Sequence, residues 1–486
     1  MTINGGAAVA LPRAGPAPGT AAPPQDETSG SDLVLPLVAV GAAGLLAGYG
    51  YVRRTRRART RTTPGGGPAP PSGLPPAAGL DEWVRRSLVL ADDCVRTSRE
   101  ELGFAEARFD AVAVAPFARA VRRAEAELAA AFGMRRRYDH GLPEDPAARR
   151  QALAAMAGRC EEAGRLLDEV AGGFDGLRGL DRGTGGALEV AEARFRELAA
   201  RTAGTEAVLA RLARRYAPSA WEYATGYVEQ AKDRLLFATA HLNRSRQSAD
   251  LARTSDAARH LRAAEGAVAQ AAVLLGGVER LAAELDEAAA MVAAALTGAE
   301  AERAGAAARL TGVPPGEARA RILRTDSVLA SVREELTAPR PYDPLDVLRR
   351  VVRAVSPLAV GGGGVLSAAA LLTARSATAA AADFVTTHRG AVGVTARALL
   401  TEAERVLACG APADRSHADA LAREARGLAE QDVRAHGNPY AEADAHDGGT
   451  AGAVLGGILL PPPSPAGTPP SFGGPGTRAR RTAGTA

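Results

Sequence analysis

Histidine is the side chain best suited to bind a metal ion or to transfer a proton near neutral pH. The seven histidines of this sequence show neither His-x-x-x-His nor His-Glu-x-x-His spacing, so the usual helix-borne zinc pattern is missing. They are His140, His241, His260, His388, His417, His436 and His446. We expect them to occupy solvated positions in helices or loops and not to act as ligands.

Cysteine offers nucleophilic, redox or metal chemistry, and the chain contains Cys94, Cys160 and Cys409. Their odd number, their wide separation and the lack of a Cys-x-x-Cys pair favour neither a disulfide framework nor a zinc site. Cys160 falls on an apolar helical seam, where a small buried side chain explains it. The pattern fits a reducing compartment.

Acidic pairs could share the roles of general acid and base, but here they alternate with arginine at helical spacing. The pairs at 100–101, 161–162 and 334–335 therefore indicate solvated helix faces with ion pairs along each helix. Arg135, Arg136 and Arg137 are typical of cations at a helix C-terminus, and no aromatic residues interleave with them. We expect no nucleic-acid partner.

The last candidate for a functional motif is a run of four glycines, Gly361 to Gly364, which would have to form a phosphate-binding loop. They lack the Gly-Lys-Ser/Thr ending and follow no predicted strand, so they indicate a break between helices. These patterns predict no catalytic, cofactor-binding or metal-binding residue, no cofactor and no enzyme activity in this chain.

Composition and period predict the elements that carry these residues. Aromatic residues make up 4% of the chain, which contains 54 glycines and 31 prolines. Its apolar residues are mainly alanine and leucine, which suit thin seams between helices, and they recur at 3-4 spacing over long stretches. The longest run is Leu261, Ala264, Val268, Ala271, Leu275, Val278, Ala282, Leu285, Ala289, Val292 and Leu296. The sequence predicts an all-α fold with an elongated antiparallel coiled-coil or helical-bundle region.

Turn residues interrupt this helical pattern. They lie at Pro143 and Pro146, at 183–186, at Pro218, at 314–316 and at 343–344. We predict a coiled-coil region over 80–340 and further helices over 341–436, with a Gly-rich break at 357–364. The uncharged stretch 354–373 could also be a second membrane span, but its glycines and Pro357 favour a break between two soluble helices.

Residues 33–52 carry no charge and run directly into an arginine cluster. Twenty helical residues span about 30 Å, the thickness of the hydrocarbon core of a bilayer. No basic region precedes the stretch, which disfavours a cleaved signal peptide. We predict a transmembrane helix over 32–53 in a single-pass protein of the cell membrane. Because arginine-rich flanks stay in the cytoplasm, the N-terminus is expected to be extracytoplasmic and the C-terminal region cytoplasmic.

The membrane region also predicts contacts with lipid and with a second helix. Residues 33–52 would contact the bilayer, and Gly44 and Gly48 form a Gly-x-x-x-Gly pair that suits self-association. The arginines after the span suit anionic lipid headgroups. They are Arg53, Arg54, Arg56, Arg57, Arg59 and Arg61.

Three segments are predicted to be disordered because they are rich in Pro, Gly and polar residues. Residues 1–31 are predicted to form an extracytoplasmic tail, residues 54–79 a basic and Pro/Gly-rich linker, and residues 437–486 a Gly/Pro-rich tail.

Several stretches resemble, in order, the helical region of actinobacterial membrane proteins that carry a TPM domain. The resemblance covers about residues 33 to 460. Among these stretches are "EELGFAEARFD" (100–110), "RYAPSAW" (215–221), "VEQAKDRLLFATAHLNRSRQ" (228–247), "RPYDPLDVLRRV" (340–351) and "LAEQDVRAHGNPY" (428–440). The resemblance implies a signal peptide, an extracytoplasmic α/β TPM domain, one span, a coiled-coil region and a Gly-rich tail.

The resemblance places any phosphatase or metal chemistry in the TPM domain. Only about thirty residues precede the predicted span, so we expect that domain to be absent, and none of its residues is carried over. Two departures are the glycines at 361–364 and the stretch "PPPSPAGTPP" after Leu460. Either the chain is a truncated paralogue or its start is placed too far downstream.

Three functional interpretations follow. The favoured one is a non-enzymatic, membrane-anchored coiled-coil scaffold of the bacterial envelope that acts through unidentified protein partners. The second is a phosphatase-type TPM protein whose catalytic domain is missing. The third is a lipid-binding membrane-stress protein akin to phage-shock protein A, which the narrow apolar seams disfavour because an interfacial helix needs a broad apolar face.

Overall fold

The helices of this protein begin and end mostly at the interruptions seen in its sequence. A computed structural model describes residues 79–309, 314–358, 364–436, 448–458 and 469–483, and these residues form helices and turns without a β-strand. The predicted span, its arginine flank, the Gly44–Gly48 pair and most of the 361–364 run lie outside the described residues.

The described α-helices are numbered in chain order. They are α1 (Leu80–Glu106), α2 (Ala111–Asp139), α3 (Pro146–Arg178), α4 (Gly185–Arg215), α5 (Pro218–Trp221), α6 (Tyr227–Asp250) and α7 (Thr254–Arg309). The remainder are α8 (Pro315–Thr337), α9 (Pro344–Val355), α10 (Gly364–His388), α11 (Val394–Cys409), α12 (Arg415–Ala435), α13 (Gly448–Leu455) and α14 (Pro475–Ala483). Two short 3-10 turns lie at Glu222–Ala224 and Pro412–Asp414.

Capping chemistry explains why several helices begin and end where they do. Asp145 precedes Pro146 and accepts a hydrogen bond from the Ala148 N–H at 2.7 Å, which satisfies one of the free donors at the start of α3. Asp343 does the same for α9 through the Asp346 N–H at 3.0 Å. Gly179, with φ of 58°, ends α3 in the left-handed conformation that glycine adopts at little cost.

Helix α7 is the central element of the fold. It has 56 residues, which corresponds to a length of about 84 Å, and it packs against α4, α6, α9 and α10. Its predicted seam is largely buried, and so are Leu274, Leu281 and Ala288, which lie outside that seam. Because its apolar side chains are buried over a face wider than one seam, α7 packs against several helices at once. The all-α prediction is confirmed, while the coiled-coil arrangement stays a prediction.

Three large hydrophobic clusters, with a small fourth one around Ala306 and Leu358, hold the described helices together. The largest surrounds α7 and includes side chains of α4, α6, α9 and α10. A second lies between α1, α2 and α3 and contains Phe472 from the C-terminal part of the chain. A third joins α10, α11 and α12.

The C-terminal part of the chain departs from the sequence prediction. Residues 437–486 are predicted to be disordered, yet the structure forms α13 and α14 there and buries Ala453, Ile458 and Phe472. The tail prediction is therefore corrected over 448–458 and 469–483. Glycine-rich composition reads as disorder, but glycine also allows a backbone to approach a helix closely.

Among the described residues, two helices are long and apolar enough to cross a membrane, Thr254–Ala306 and Gly364–His388. Core helices of soluble proteins meet the same criterion, and 67% of the most apolar window of the first is buried within the protein. Of these two helices, only the second overlaps a stretch that the sequence analysis weighed as a membrane span, residues 354–373. Helices ending at Val355 and beginning at Gly364 agree with the preferred break.

Candidate functional site

The C-terminal residues 469–483, here called the tail segment, lie in a groove formed by α1 and α3. Phe472 is fully buried in this groove. Its ring stacks on Phe174 with centroids 4.1 Å apart and meets Phe117 edge-on at 6.2 Å. Such aromatic pairs add to the free energy of apolar burial, so Phe472 anchors the segment.

Asp168 of α3 binds the backbone of the tail segment. Its carboxylate accepts hydrogen bonds from the N–H groups of Gly474 at 2.9 Å, Gly476 at 3.1 Å and Thr477 at 2.8 Å. These donors surround the start of α14, where free N–H groups and the helix dipole favour a negative charge. One carboxylate therefore caps the helix and docks it on α3.

Two side chains of α1 complete the backbone recognition. The Phe472 N–H donates to Glu101 Oε1 at 3.2 Å, and the Gly473 N–H donates to the Ser98 hydroxyl at 3.2 Å. We call the surface formed by Ser98, Glu101, Gly164, Asp168, Phe117 and Phe174 the tail groove. It binds residues 472–474 and the start of α14 mainly through main-chain donors, with one aromatic pocket for specificity.

Glycines on both sides bring the tail segment close to α3. A Cβ placed on Gly474 would lie 2.2 Å from the Gly164 carbonyl oxygen, and one placed on Gly164 would lie 2.7 Å from the Pro475 ring. Gly473 has φ of 125°, a conformation that other residues rarely adopt. The stretch 472–476 is thus shaped to fit this helix surface.

Residues 452–458 dock in the same manner on another part of the fold. The Gly390 N–H donates to the Leu455 carbonyl at 2.7 Å, and Gln270 Nε2 donates to the Gly456 carbonyl at 2.6 Å. Ile458 is buried against Gly266. Two C-terminal segments are therefore held through their backbones.

A buried ion network supports the tail groove. Arg178 donates to Glu265 at 2.6 Å and approaches Glu101 at 3.5 Å, and all three side chains are buried. Glu101 thereby connects the Phe472 backbone to α3 and α7. Removing one member would leave an uncompensated charge in the interior, so the network fixes the groove wall.

A second buried network joins α1 to α11. Arg397, which is fully buried, pairs with Asp92 and Asp93 and donates to the Val392 carbonyl at 3.1 Å. Burial alone raises the pKa of Asp92, but Arg96 and Arg397 more than offset it and the pKa is lowered. The carboxylate is therefore held ionised.

Several charged residues lie in places that differ from the sequence prediction. Glu100 and Glu101, predicted to form a solvated face, make tertiary ion pairs, with Glu100 binding Arg389 through two bonds of 2.7 and 2.9 Å. Arg135 is buried and pairs with Asp81 and Asp139. The solvated interpretation is wrong for Glu100 and Glu101 because each meets an arginine from a distant part of the chain. Arg135 lies near the C-terminal end of α2, as predicted for the arginine cluster.

The histidine prediction is wrong at two positions. His241 and His388 are buried, and His241 Nδ1 lies 3.1 Å from His260 Nδ1. His140, His417 and His436 are exposed as predicted, and His446 lies outside the described residues. In the described part of the chain, no group of three or more His, Cys, Asp or Glu side chains is placed to hold a metal ion.

The cysteines agree with the structural interpretation. Cys94 and Cys160 are buried, Cys409 is exposed, and all three are free thiols. Burial raises the pKa of Cys94 to about 11 and that of Cys160 to about 12. Both thiols therefore stay protonated near neutral pH, in keeping with packing roles.

Comparison with known proteins identifies two relatives of this chain. The chain is 30% identical over 432 residues to UPF0603 proteins of Mycobacterium tuberculosis, one from strain CDC 1551 / Oshkosh and one from strain ATCC 25618. The match covers 82% of this chain and 65% of each relative, so the chain spans just under two thirds of their length. No family model matches the chain, and no solved structure matches it.

These relatives are actinobacterial, which agrees with the coarser part of the resemblance. The names of these relatives state neither an activity nor a TPM domain. The TPM part of the resemblance therefore stays a prediction.

Proposed function

We propose that this protein is a non-enzymatic scaffold of the bacterial cell envelope, related to the mycobacterial UPF0603 proteins, which binds protein partners through its helical surfaces. The observation that carries the proposal is the tail groove. A groove that binds a peptide through three backbone donors on one carboxylate and one buried aromatic ring is suited to recognising a protein segment that leads into the start of a helix.

The membrane anchor belongs to this proposal. An uncharged stretch at 33–52 followed by six arginines supports a single span with the helical region in the cytoplasm. The anchor would keep the helical region attached to the membrane, where long helices offer extended contact surface. Coiled-coil pairing of the exposed faces is a further part of the proposal.

The buried charges support a structural role for the acidic residues. Glu101, Glu265, Asp92 and Asp168 each accept from arginine side chains or backbone N–H groups within the fold. Each of these carboxylates therefore joins parts of the fold to one another. The groove thus supports binding more than catalysis.

The test is crosslinking in cells followed by affinity purification of the full-length tagged protein. Phe472→Ala empties the aromatic pocket and weakens the tail segment's hold on the groove, so we expect the yield of groove-binding proteins to rise several-fold over wild type. Leu251→Ala is the matched control because Leu251 is 63% exposed, and it should leave the yield unchanged.

Two results would contradict the proposal. Identical partner yields from wild type and Phe472→Ala would show that the groove takes no part in binding. A phosphate-ester hydrolysis activity that follows the protein through purification would contradict the non-enzymatic role.

A further inference from the structure

A cavity of about 680 Å³ opens between the C-terminal half of α2, the middle of α3 and α11. This volume lies within the range of about 300–1,000 Å³ that small-molecule sites occupy. The cavity is separate from the tail groove, and none of the contacts described above requires it.

Arginine side chains from three helices surround the cavity. Arg136 and Arg137 come from α2, Arg159 from α3 and Arg405 from α11. Cations at the end of α2 alone would be explained by its helix dipole. Convergence of guanidinium groups from two further helices on the same space is not explained in that way.

The carboxylates nearby do not neutralise these cations. Glu402 pairs with Arg136 and Arg405, each at 2.8 Å, and Glu127 pairs with Arg159 at 2.7 Å. Four guanidinium groups thus face two carboxylates, and Arg137 forms no ion pair with a described residue. The described residues around the cavity therefore carry a net positive charge.

Next to Arg136 and Arg137 on α2, one wall of the cavity is apolar. Ala129, Ala130, Gly133 and Met134 lie on one face of α2 and offer no side-chain hydrogen-bonding group. A Cβ added to Gly133 would meet no atom within 4 Å, because that position faces open space. The cavity therefore combines a cationic rim with an apolar floor.

We propose that this cavity binds the phosphate group of an amphiphilic molecule, whose hydrocarbon part lies on the α2 wall. Arginine binds phosphate oxygens through its forked N–H donors, and burial of the chain on alanine and methionine adds apolar contact.

The test is equilibrium binding to the full-length protein in a neutral detergent, with three probes. We expect dihexanoyl phosphatidic acid to bind, glycerol phosphate to bind more weakly, and dihexanoylglycerol to bind at least tenfold more weakly than the first, since it has the same acyl chains but no phosphate for the arginines. Equal affinity for glycerol phosphate and phosphatidic acid would overturn the amphiphile assignment. Equal affinity for the two lipids would overturn the phosphate assignment.

Two variants locate the binding. Gly133→Leu adds an apolar side chain at a position that faces open space, and Arg137→Gln removes a cation that has no ion pair with a described residue, so each should weaken phosphatidic acid binding about tenfold. The control is Arg150→Gln, which removes an exposed arginine of α3 outside the cavity and should leave binding unchanged. Wild-type affinity in both cavity variants would contradict the site.

Discussion

Asp168 shows how one side chain can determine where a segment of the chain lies. Because its carboxylate accepts from three backbone N–H groups of the tail segment, Asp168→Ala leaves those donors without their partner. We expect the free energy of unfolding to fall by about 1–3 kcal/mol, and residues 474–477 to exchange their amide hydrogens faster in mass spectrometry.

The control for this prediction is Glu169→Gln on the same helix. Glu169 is 55% exposed and, among the described residues, pairs with Arg165 along the helix, so exchange in the tail segment should match wild type. Unchanged exchange in Asp168→Ala would show that Asp168 does not hold the segment.

The buried His241 is expected to make the free energy of unfolding depend on pH. Burial, with smaller effects from His260, Arg244 and Arg259, lowers the pKa of His241 to about 3, whereas an unfolded histidine has a pKa of about 6.5. The unfolded state therefore binds more protons between these values, and the free energy of unfolding falls as the pH drops below about 6.5 toward 3.

In His241→Gln this contribution is removed. We expect the loss of stability between pH 7.5 and pH 5, measured by urea unfolding, to shrink by about 2 kcal/mol relative to wild type. His417→Gln, at an exposed position of α12, should show the wild-type pH dependence. A wild-type loss in His241→Gln would mean that burial of this histidine does not contribute.

At the level of single residues, the sequence predicted apolar burial better than charge burial. Seam residues such as Leu261 and Cys160 are buried as predicted, because periodicity reports directly on which face of a helix is covered. Arg397 and Glu101 are also buried, but their partners come from helices far along the chain. Local spacing carries no information about such tertiary pairs.

The contact between α3 and the tail segment depends on glycine. In Gly474→Ala the new methyl group would fall 2.2 Å from the Gly164 carbonyl, so the segment must move away. Trypsin should then cleave at Arg478, Arg480 and Arg481 several-fold faster than in wild type, because cleavage requires local release of the chain.

Gly158→Ala is the matched control, since a Cβ at that position of α3 meets no atom within 4 Å. It should leave the rate of cleavage unchanged and stabilise the helix slightly. Equal cleavage of Gly474→Ala and wild type would indicate that the close backbone contact is not needed for docking.

Helix boundaries were predictable where turn chemistry is explicit, as at Asp145–Pro146 and Asp343–Pro344. The break between α6 and α7, where Ala252 has φ of 56°, carries no Gly or Pro and was missed. The tail segment was missed for a different reason, since the signals that place it are a single phenylalanine and the shape of a distant groove.

For the whole molecule, we predict a single membrane span with the N-terminus outside. Protease added to intact spheroplasts should spare a C-terminal tag and remove an N-terminal one, because six arginines after residue 52 favour retention on the cytoplasmic side. Both tags should be digested after lysis, which serves as the control. Loss of the C-terminal tag before lysis would contradict this orientation.

The tail groove as a peptide-binding site is the central claim, and peptide binding to the full-length Phe472→Ala variant tests it most directly. In that variant the chain's own tail segment is weakened, so a fluorescent peptide of residues 469–483 added in solution should bind saturably, as measured by anisotropy. Adding Asp168→Ala to the variant should weaken this binding at least tenfold, because three backbone hydrogen bonds lose their acceptor. No saturable binding, or binding that is unchanged by Asp168→Ala, would contradict the account.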